Sequence, residues 1–242
     1  MSIISVISGT YCHEDDVIRG VTDQTDLRLV TDQDLVIRAA ENSGMSAAAI
    51  AKAFSAKRSV FNSFTRERER TIACLKVAVA ETVAQDGVVL AGYCAHLVPS
   101  SISHVLRVCL VADMRSRISS AQTADRIGKK FAGREIRRQD EDLAAWILDH
   151  RGSADPWNPS FYDIVLPTDK TPLDDAIRLI VDSLNSEAVQ PTAESLQAVE
   201  DFLVGARVET ALAAAGHHVE VSCLDGHVTM TINKHVLMLG RL

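Results

Sequence analysis

The sequence lacks three features that would place it in a familiar class of protein. It has no block of basic residues, no apolar run of eighteen residues and no C-x-x-C pair. Because Lys and Arg are dispersed and the net charge is −7, we expect neither nucleic acid nor an anionic membrane as a partner. The apolar start of the chain has no basic residues before it and is short, so we predict a cytoplasmic protein. Five cysteines, an odd number, indicate reduced and mostly buried thiols.

Glycine and fixed cations are also missing from the loop where a phosphate site would be expected. Residues 3–7 are rich in β-branched side chains and predict a buried strand, and residues 14–21 predict a helix. Loops that bind phosphate between a strand and a helix use glycine amides and a Lys or Arg. Here residues 11–16 read YCHEDD. Three carboxylates at a helix start gain about 0.3–1 kcal/mol each from the helix dipole, but they repel phosphate.

The rest of the 242-residue chain predicts one α/β core and a small appended module. Apolar segments at 88–92, 105–112 and 162–166 predict further core strands. Residues 186–192 read as a linker, and residues 193–215 predict an amphipathic helix. Residues 219–223 and 228–232 then alternate across Asp225-Gly226, which predicts a β-hairpin.

Residues 2–185 resemble the cytidylate kinase-like family of P-loop nucleotide kinases. The family opens with a pattern close to I-S-R-x-Y-G-S-G-G-R-E-I, which the chain follows at Ile7, Ser8, Tyr11 and Ile18. Residues 157–163 follow the family segment W-x-x-P-x-x-Y-D in part. The resemblance implies an α/β fold, a doubly wound parallel sheet with helices on both faces. The positions that depart from the family pattern are Cys12, Glu14 and Asp15 in place of glycine, and Asp16, Tyr93 and Leu143 in place of arginine.

The resemblance also implies which residues would bind a ligand. The degenerate phosphate loop comprises Ser8, Gly9, Thr10, Tyr11, Cys12 and His13. Asp32 matches a family aspartate on the acceptor-nucleotide side, with an ordinary helix N-cap as the alternative. Arg117 matches a family arginine, and Arg134, Arg137 and Arg138 lie in the region of the mobile lid, residues 124–152. These lid arginines form either a rearranged anion site or a solvated helix face.

No metal site is predicted. The consecutive residues 12–16 have suitable ligand types but cannot all face one point. The tail histidines are interpreted as exposed strand residues: His217, His218, His227 and His235.

We therefore predict two units, a kinase-like domain at 1–185 and a module at 193–242. The module resembles a BON domain in its V-x-x-A-L and D-G-x-V-T segments. The predicted function is non-catalytic and regulatory, the sensing of a nucleotide or small-molecule ligand, with no catalytic residue assigned. The alternatives are an active nucleoside monophosphate kinase, which would require ATP and Mg²⁺ and a CMP-type acceptor, and a structural dimerisation protein. We expect a homodimer.

Overall fold

A computed structural model describes residues 2–56, 67–217 and 219–231. Five strands form a parallel sheet: β1 Ile3–Ser8, β2 Arg28–Thr31, β3 Val88–Ala91, β4 Val105–Val111 and β5 Ile164–Pro167. Their order across the sheet is β2-β3-β1-β4-β5, with Ile3 beside Val88 on one side and Val105 on the other. The predicted α/β fold with a parallel central sheet is confirmed.

Helices cover both faces of this sheet. They are α1 Glu14–Gln24, α2 Asp32–Ser43, α3 Ala47–Ala51, α4 Glu67–Val83, α5 Met114–Asp125, α6 Lys129–Arg151, α7 Leu173–Leu184 and α8 Ala193–Ala214. Successive residues of a strand point to opposite faces, so Ile3 and Ile7 enter one buried cluster while Ile4 and Val6 enter the other. Helices α1 and α7 cover the second cluster, and α2, α4, α6 and α8 contribute to the first.

Helix α2 begins at Asp32, and the residue that caps it is Thr31. The Thr31 hydroxyl accepts from the backbone N–H of Asp34, and the Asp34 carboxylate accepts from the backbone N–H of Thr31. The alternative that Asp32 is the N-cap is therefore wrong. Because Thr31 and Asp34 cap the helix, the Asp32 side chain is left to bind elsewhere.

Helix α4 is buried on nearly every side. Its middle contains Leu75, Ala78 and Val79 on the sheet side and Val77 and Ala80 on the other. A helix that is apolar all round needs cover on both faces. The spacing of apolar residues predicts a long amphipathic helix within residues 59–86, and residues 59–66 of it lie outside the described residues.

Helix α8 supplies the second cover of α4. Ala206 packs with Val77 and Ala80, and Val199 belongs to the same buried cluster as the sheet. The buried Ser195 hydroxyl lies 2.8 Å from Nδ1 of His104. The predicted linker carries a short 3-10 helix, Glu187–Val189, whose Val189 is buried against the second cluster. The division into two units stays a prediction, but the tail helix is packed on the kinase-like core.

The predicted hairpin is present after α8. Its strands are β6 Glu220–Leu224 and β7 His227–Thr231, joined by Asp225 and Gly226, which both have positive φ. The Asp201 carboxylate on α8 accepts from both turn amides at 2.8 Å. This contact attaches the turn to the helix. The predicted end of the second strand at Ile232, and His218 and His235, lie outside the described residues.

Four of the five cysteines are buried, as expected, and none is paired among the described residues. No helix in the described chain combines the length and the apolar character needed to cross a membrane.

Candidate functional site

A cavity of about 740 Å³ opens at the carboxyl edge of the sheet, beyond the ends of β1 and β3. Ligands of open α/β sheets bind at this edge. Four of the six predicted loop residues line the cavity: Ser8, Thr10, Tyr11 and His13. The other two loop residues, Gly9 and Cys12, do not line this cavity, and Cys12 is buried. Burial raises the pKa of the Cys12 thiol to about 11, so this sulfur is held in its neutral form.

The loop is held in place by its own side chains. The Thr10 hydroxyl donates to Oε1 of Gln139 at 2.6 Å, and the Tyr11 hydroxyl donates to Asp125 at 2.5 Å. Tyr11 and His13 adopt left-handed backbone conformations, with φ of 61° and 58°, at positions without glycine. Such conformations cost on the order of 1–2 kcal/mol each, and the surrounding hydrogen bonds must offset that cost. The loop is therefore a fixed wall of the cavity.

Carboxylates occupy the start of α1, where a phosphate would need positive charge. Glu14, Asp15 and Asp16 all line the cavity. Burial, then the nearby Asp15 and Asp32, raise the pKa of the Glu14 carboxyl to about 7. For Glu14 burial therefore outweighs the favourable helix dipole that the sequence suggested for all three residues. Asp16 is different, because it is exposed and pairs with Arg19 at 2.9 Å.

Asp32 reaches across the cavity to the segment that follows β3. Its carboxylate accepts from the backbone N–H groups of Tyr93 and Cys94 at 2.8 and 2.9 Å. A Cβ atom on Gly92 would lie 2.3 Å from Oδ2 of Asp32, and Gly92 has φ of 113°, so only glycine fits there. Burial, opposed by these two backbone hydrogen bonds, raises the pKa of Asp32. Asp32 therefore stabilises the segment that follows β3. Its contact with an acceptor nucleotide, which the family resemblance implies, stays a prediction.

The predicted anion-binding arginines are not brought together. Arg117 is buried and donates two hydrogen bonds to Asp140, at 2.9 and 2.7 Å, and one to the carbonyl oxygen of Thr10 at 2.8 Å. This bidentate pair uses the guanidinium that a phosphate would otherwise bind. Neither Arg117 nor any of the three lid arginines lines the cavity.

The three lid arginines lie on the outer surface of α6. Arg138 pairs with Glu135 and Asp142, Arg134 lies over the ring of Phe131, and Arg137 is exposed. Of the two alternatives, this placement agrees with the solvated helix face.

Helix α6 is packed into the core where the family resemblance suggested a mobile lid. Trp146 is fully buried and donates through Nε1 to the carbonyl oxygen of Tyr93 at 2.8 Å. The rings of Phe54, Tyr93 and Trp146 pack with centroids 5.2–6.3 Å apart. Leu143 is also buried. Tyr93 and Leu143, which stand in place of arginines, therefore join α6 to the core through apolar contacts.

Some residues that line the cavity were not identified as site residues from the sequence. Ser119, Ser120 and Thr123 on α5 and Gln139 on α6 contribute polar groups to the lining. The spacing of Ser119 and Thr123, four residues apart, places two hydroxyls on one helix face and could have indicated a polar surface. The pairing of Arg117 with Asp140 could not be predicted from the pattern of one helix, because the two residues lie on different helices.

A family profile and one solved structure agree with this architecture. The sequence profile of the cytidylate kinase-like family matches residues 3–170. An uncharacterized protein from Eubacterium ventriosum is similar in structure, with a TM-score of 0.55 and 12% identity over 77% of this chain and 100% of that one. A shikimate kinase from Acinetobacter baumannii in complex with shikimate has a TM-score of 0.43 and 12% identity, over 78% and 96% of the two chains. A sugar kinase from a Janibacter species has a TM-score of 0.40 and 15% identity, over 79% and 99%. No curated protein matches.

Proposed function

The chain belongs to the cytidylate kinase-like family, and from this premise we propose that it is a non-catalytic member that senses a nucleotide or another small ligand. One observation carries the proposal. Among the described residues, no Lys or Arg lines the cavity, whereas five carboxylates do. These are Glu14, Asp15, Asp16, Asp32 and Asp140.

Phosphoryl transfer depends on positioning and on neutralising the charge of the phosphates. Two like charges 4 Å apart repel by about 1 kcal/mol in water and by about 4 kcal/mol near a protein surface. A triphosphate beside the start of α1 would meet this repulsion from Asp15 and from ionised Glu14. Arg117 offers no compensation while it is bonded to Asp140. The cavity residues therefore do not supply the positive charge that a triphosphate needs.

We expect the purified full-length protein to transfer no phosphate from ATP to CMP at a kinase-like rate. A coupled assay with Mg²⁺ measures this directly, and an active cytidylate kinase serves as the positive control. A turnover of about 1 per second or more, the low end for kinases, would overturn the proposal in favour of an active nucleoside monophosphate kinase. In a second experiment, we expect the triple variant Glu14→Gly, Asp15→Gly, Asp16→Arg to bind ATP more tightly than the parent protein does, as measured by calorimetry.

We also propose that the protein is a cytoplasmic homodimer. Support for the dimer comes from apolar side chains that are exposed on α8 and the hairpin, among them Val204, Leu224 and Met230. Large apolar side chains in such positions are candidates for burial between subunits. Sedimentation velocity would measure the mass, and a monomer at micromolar concentration would contradict the dimer. The BON-like identity of the tail also remains a prediction, since the family match ends at residue 170.

A further inference from the structure

A groove lies between α2, α4 and α8, apart from the cavity at the sheet edge. Its floor is one helical stripe of α4: Arg70, Cys74, Val77 and Glu81. This stripe runs about 16 Å along the helix. The end of α2 forms one wall, and the last turns of α8 form the other. The groove has a volume of about 440 Å³, in the range of small-molecule sites, and shares no lining residue with the cavity.

The groove contains one guanidinium whose charge is not balanced. At one end, Glu81 pairs with Arg207 at 3.3 Å. At the other end, Arg70 has no hydrogen bond or ion pair with any described residue. Burial raises the pKa of the Cys74 thiol, and the hydrogen bond of Ser43 and then the charge of Arg70 oppose this rise. The free guanidinium therefore lies close to the floor of the groove.

The ends of α2 and α8 place partial negative charge near the same groove. A helix end carries about half an elementary charge, and its effect falls off within one turn. The carbonyl oxygens at these ends are already bonded, as those of Ala40 and Ala211 are to the backbone N–H groups of Gly44 and Ala215. A guanidinium forms stronger, paired hydrogen bonds with an anion. Arg70 therefore determines that the ligand of this groove is an anion.

The remaining lining is apolar or neutral. Cys74, Val77 and Ala213 are buried, and alanines along α8 leave the space above them open. The enclosed Thr210 hydroxyl has no hydrogen-bond partner among the described residues. Buried hydroxyls are nearly always bonded, and a change of rotamer would turn this one toward the groove that Thr210 lines. The lining thus offers two donors and an apolar surface.

We propose that the groove binds a monocarboxylate with an apolar chain. Arg70 binds the carboxylate, and the chain lies on Cys74 and Val77. A phosphate ion would leave most of the apolar floor uncovered, and the second carboxylate of a dicarboxylate would meet Glu81 at the far end. Because the groove is separate from the cavity, this site goes beyond the sensing function proposed above.

The test is calorimetric titration of the full-length protein with octanoate, below its micelle concentration. Octanoate should bind with a stoichiometry of one, and Arg70→Gln should weaken it about tenfold or more. The matched control is Arg115→Gln, which removes the same charge from an exposed position on α5 outside the groove. This control should bind octanoate as the parent does.

A second variant tests the place of binding without a change of charge. Ala211→Leu fills the groove, suits a helix, and should weaken octanoate as well. 1-Octanol, which has the same chain without the charge, should bind more weakly than octanoate.

Four results would overturn the inference. They are the absence of octanoate binding, an equal loss of affinity in both arginine variants, parent-like binding by Ala211→Leu, and equal affinity for 1-octanol. None of these variants changes a residue of the cavity, so the proposed sensing function is tested separately.

Discussion

A chain shortened to residues 1–185 is expected to lose most of its stability. The truncation removes α8, which covers the outer face of α4, and exposes Val77 and Ala80 to water. It also removes Val199 from the main buried cluster and leaves His104 without the Ser195 hydroxyl. Burial of one large apolar side chain contributes about 1.5–3 kcal/mol. Loss of Val199 and the partly buried Phe202 with their contacts therefore costs on the order of 5 kcal/mol, which is comparable to the whole stability of many domains.

Urea denaturation followed by circular dichroism measures this loss. The control is a chain that ends at residue 217, which keeps α8 and removes the hairpin together with the residues that follow it. Strand β7 is exposed along its whole length, so this control should retain most of the stability. If the 1–185 chain unfolds as cooperatively as the full chain and at the same urea concentration, the kinase-like domain folds alone. The boundary predicted from the sequence would then also be a folding boundary.

The fold was predictable because its signals are local. β-branched runs marked the strands of the sheet, and Asp225-Gly226 marked the hairpin turn. The docking of α8 was not predicted, although a signal for it existed. Residues 72–80, IACLKVAVA, are apolar at every position except Lys76, a pattern typical of a helix that is covered on both faces. The sheet can cover only one of those faces, so the sequence already implied a second partner for α4.

The site was predictable in location but not in its internal contacts. The position of the loop after β1 followed from the strand and helix pattern, and the loss of its glycines was visible at once. The pairing of Arg117 with Asp140 and the contact of Asp32 with Tyr93 join residues far apart in sequence. Such contacts depend on tertiary packing, for which single residues give no periodic signal. They give structural contacts to two candidate ligand residues, Arg117 and Asp32.

Replacement of Glu14 by glutamine is expected to stabilise the protein at neutral and alkaline pH. The pKa of Glu14 is raised from its ordinary 4.5 to about 7, first by burial and then by Asp15 and Asp32. The folded protein therefore binds more protons than the unfolded chain between these two values, and its stability falls as pH rises through that window. A shift of this size corresponds to about 3 kcal/mol. The helix dipole offsets up to about 1 kcal/mol, which leaves a net gain of about 2 kcal/mol for Glu14→Gln above pH 7.5.

The pH dependence separates this effect from a general change in packing. Near pH 4.5 the Glu14 carboxyl is protonated in the folded state and resembles an amide, so the variant and the parent should be almost equally stable. The difference should grow with pH and level off above pH 7.5, as measured by urea denaturation at several pH values. Asp15→Asn is the matched control, because Asp15 is exposed in the same turn and its carboxylate gains from the dipole. The stability of that control should change by no more than about 1 kcal/mol, because the lost dipole interaction and the relieved repulsion of Glu14 oppose each other. If Glu14→Gln loses stability at pH 8, the dipole outweighs burial at this position, and the argument for an enclosed, unsatisfied carboxylate in the cavity fails.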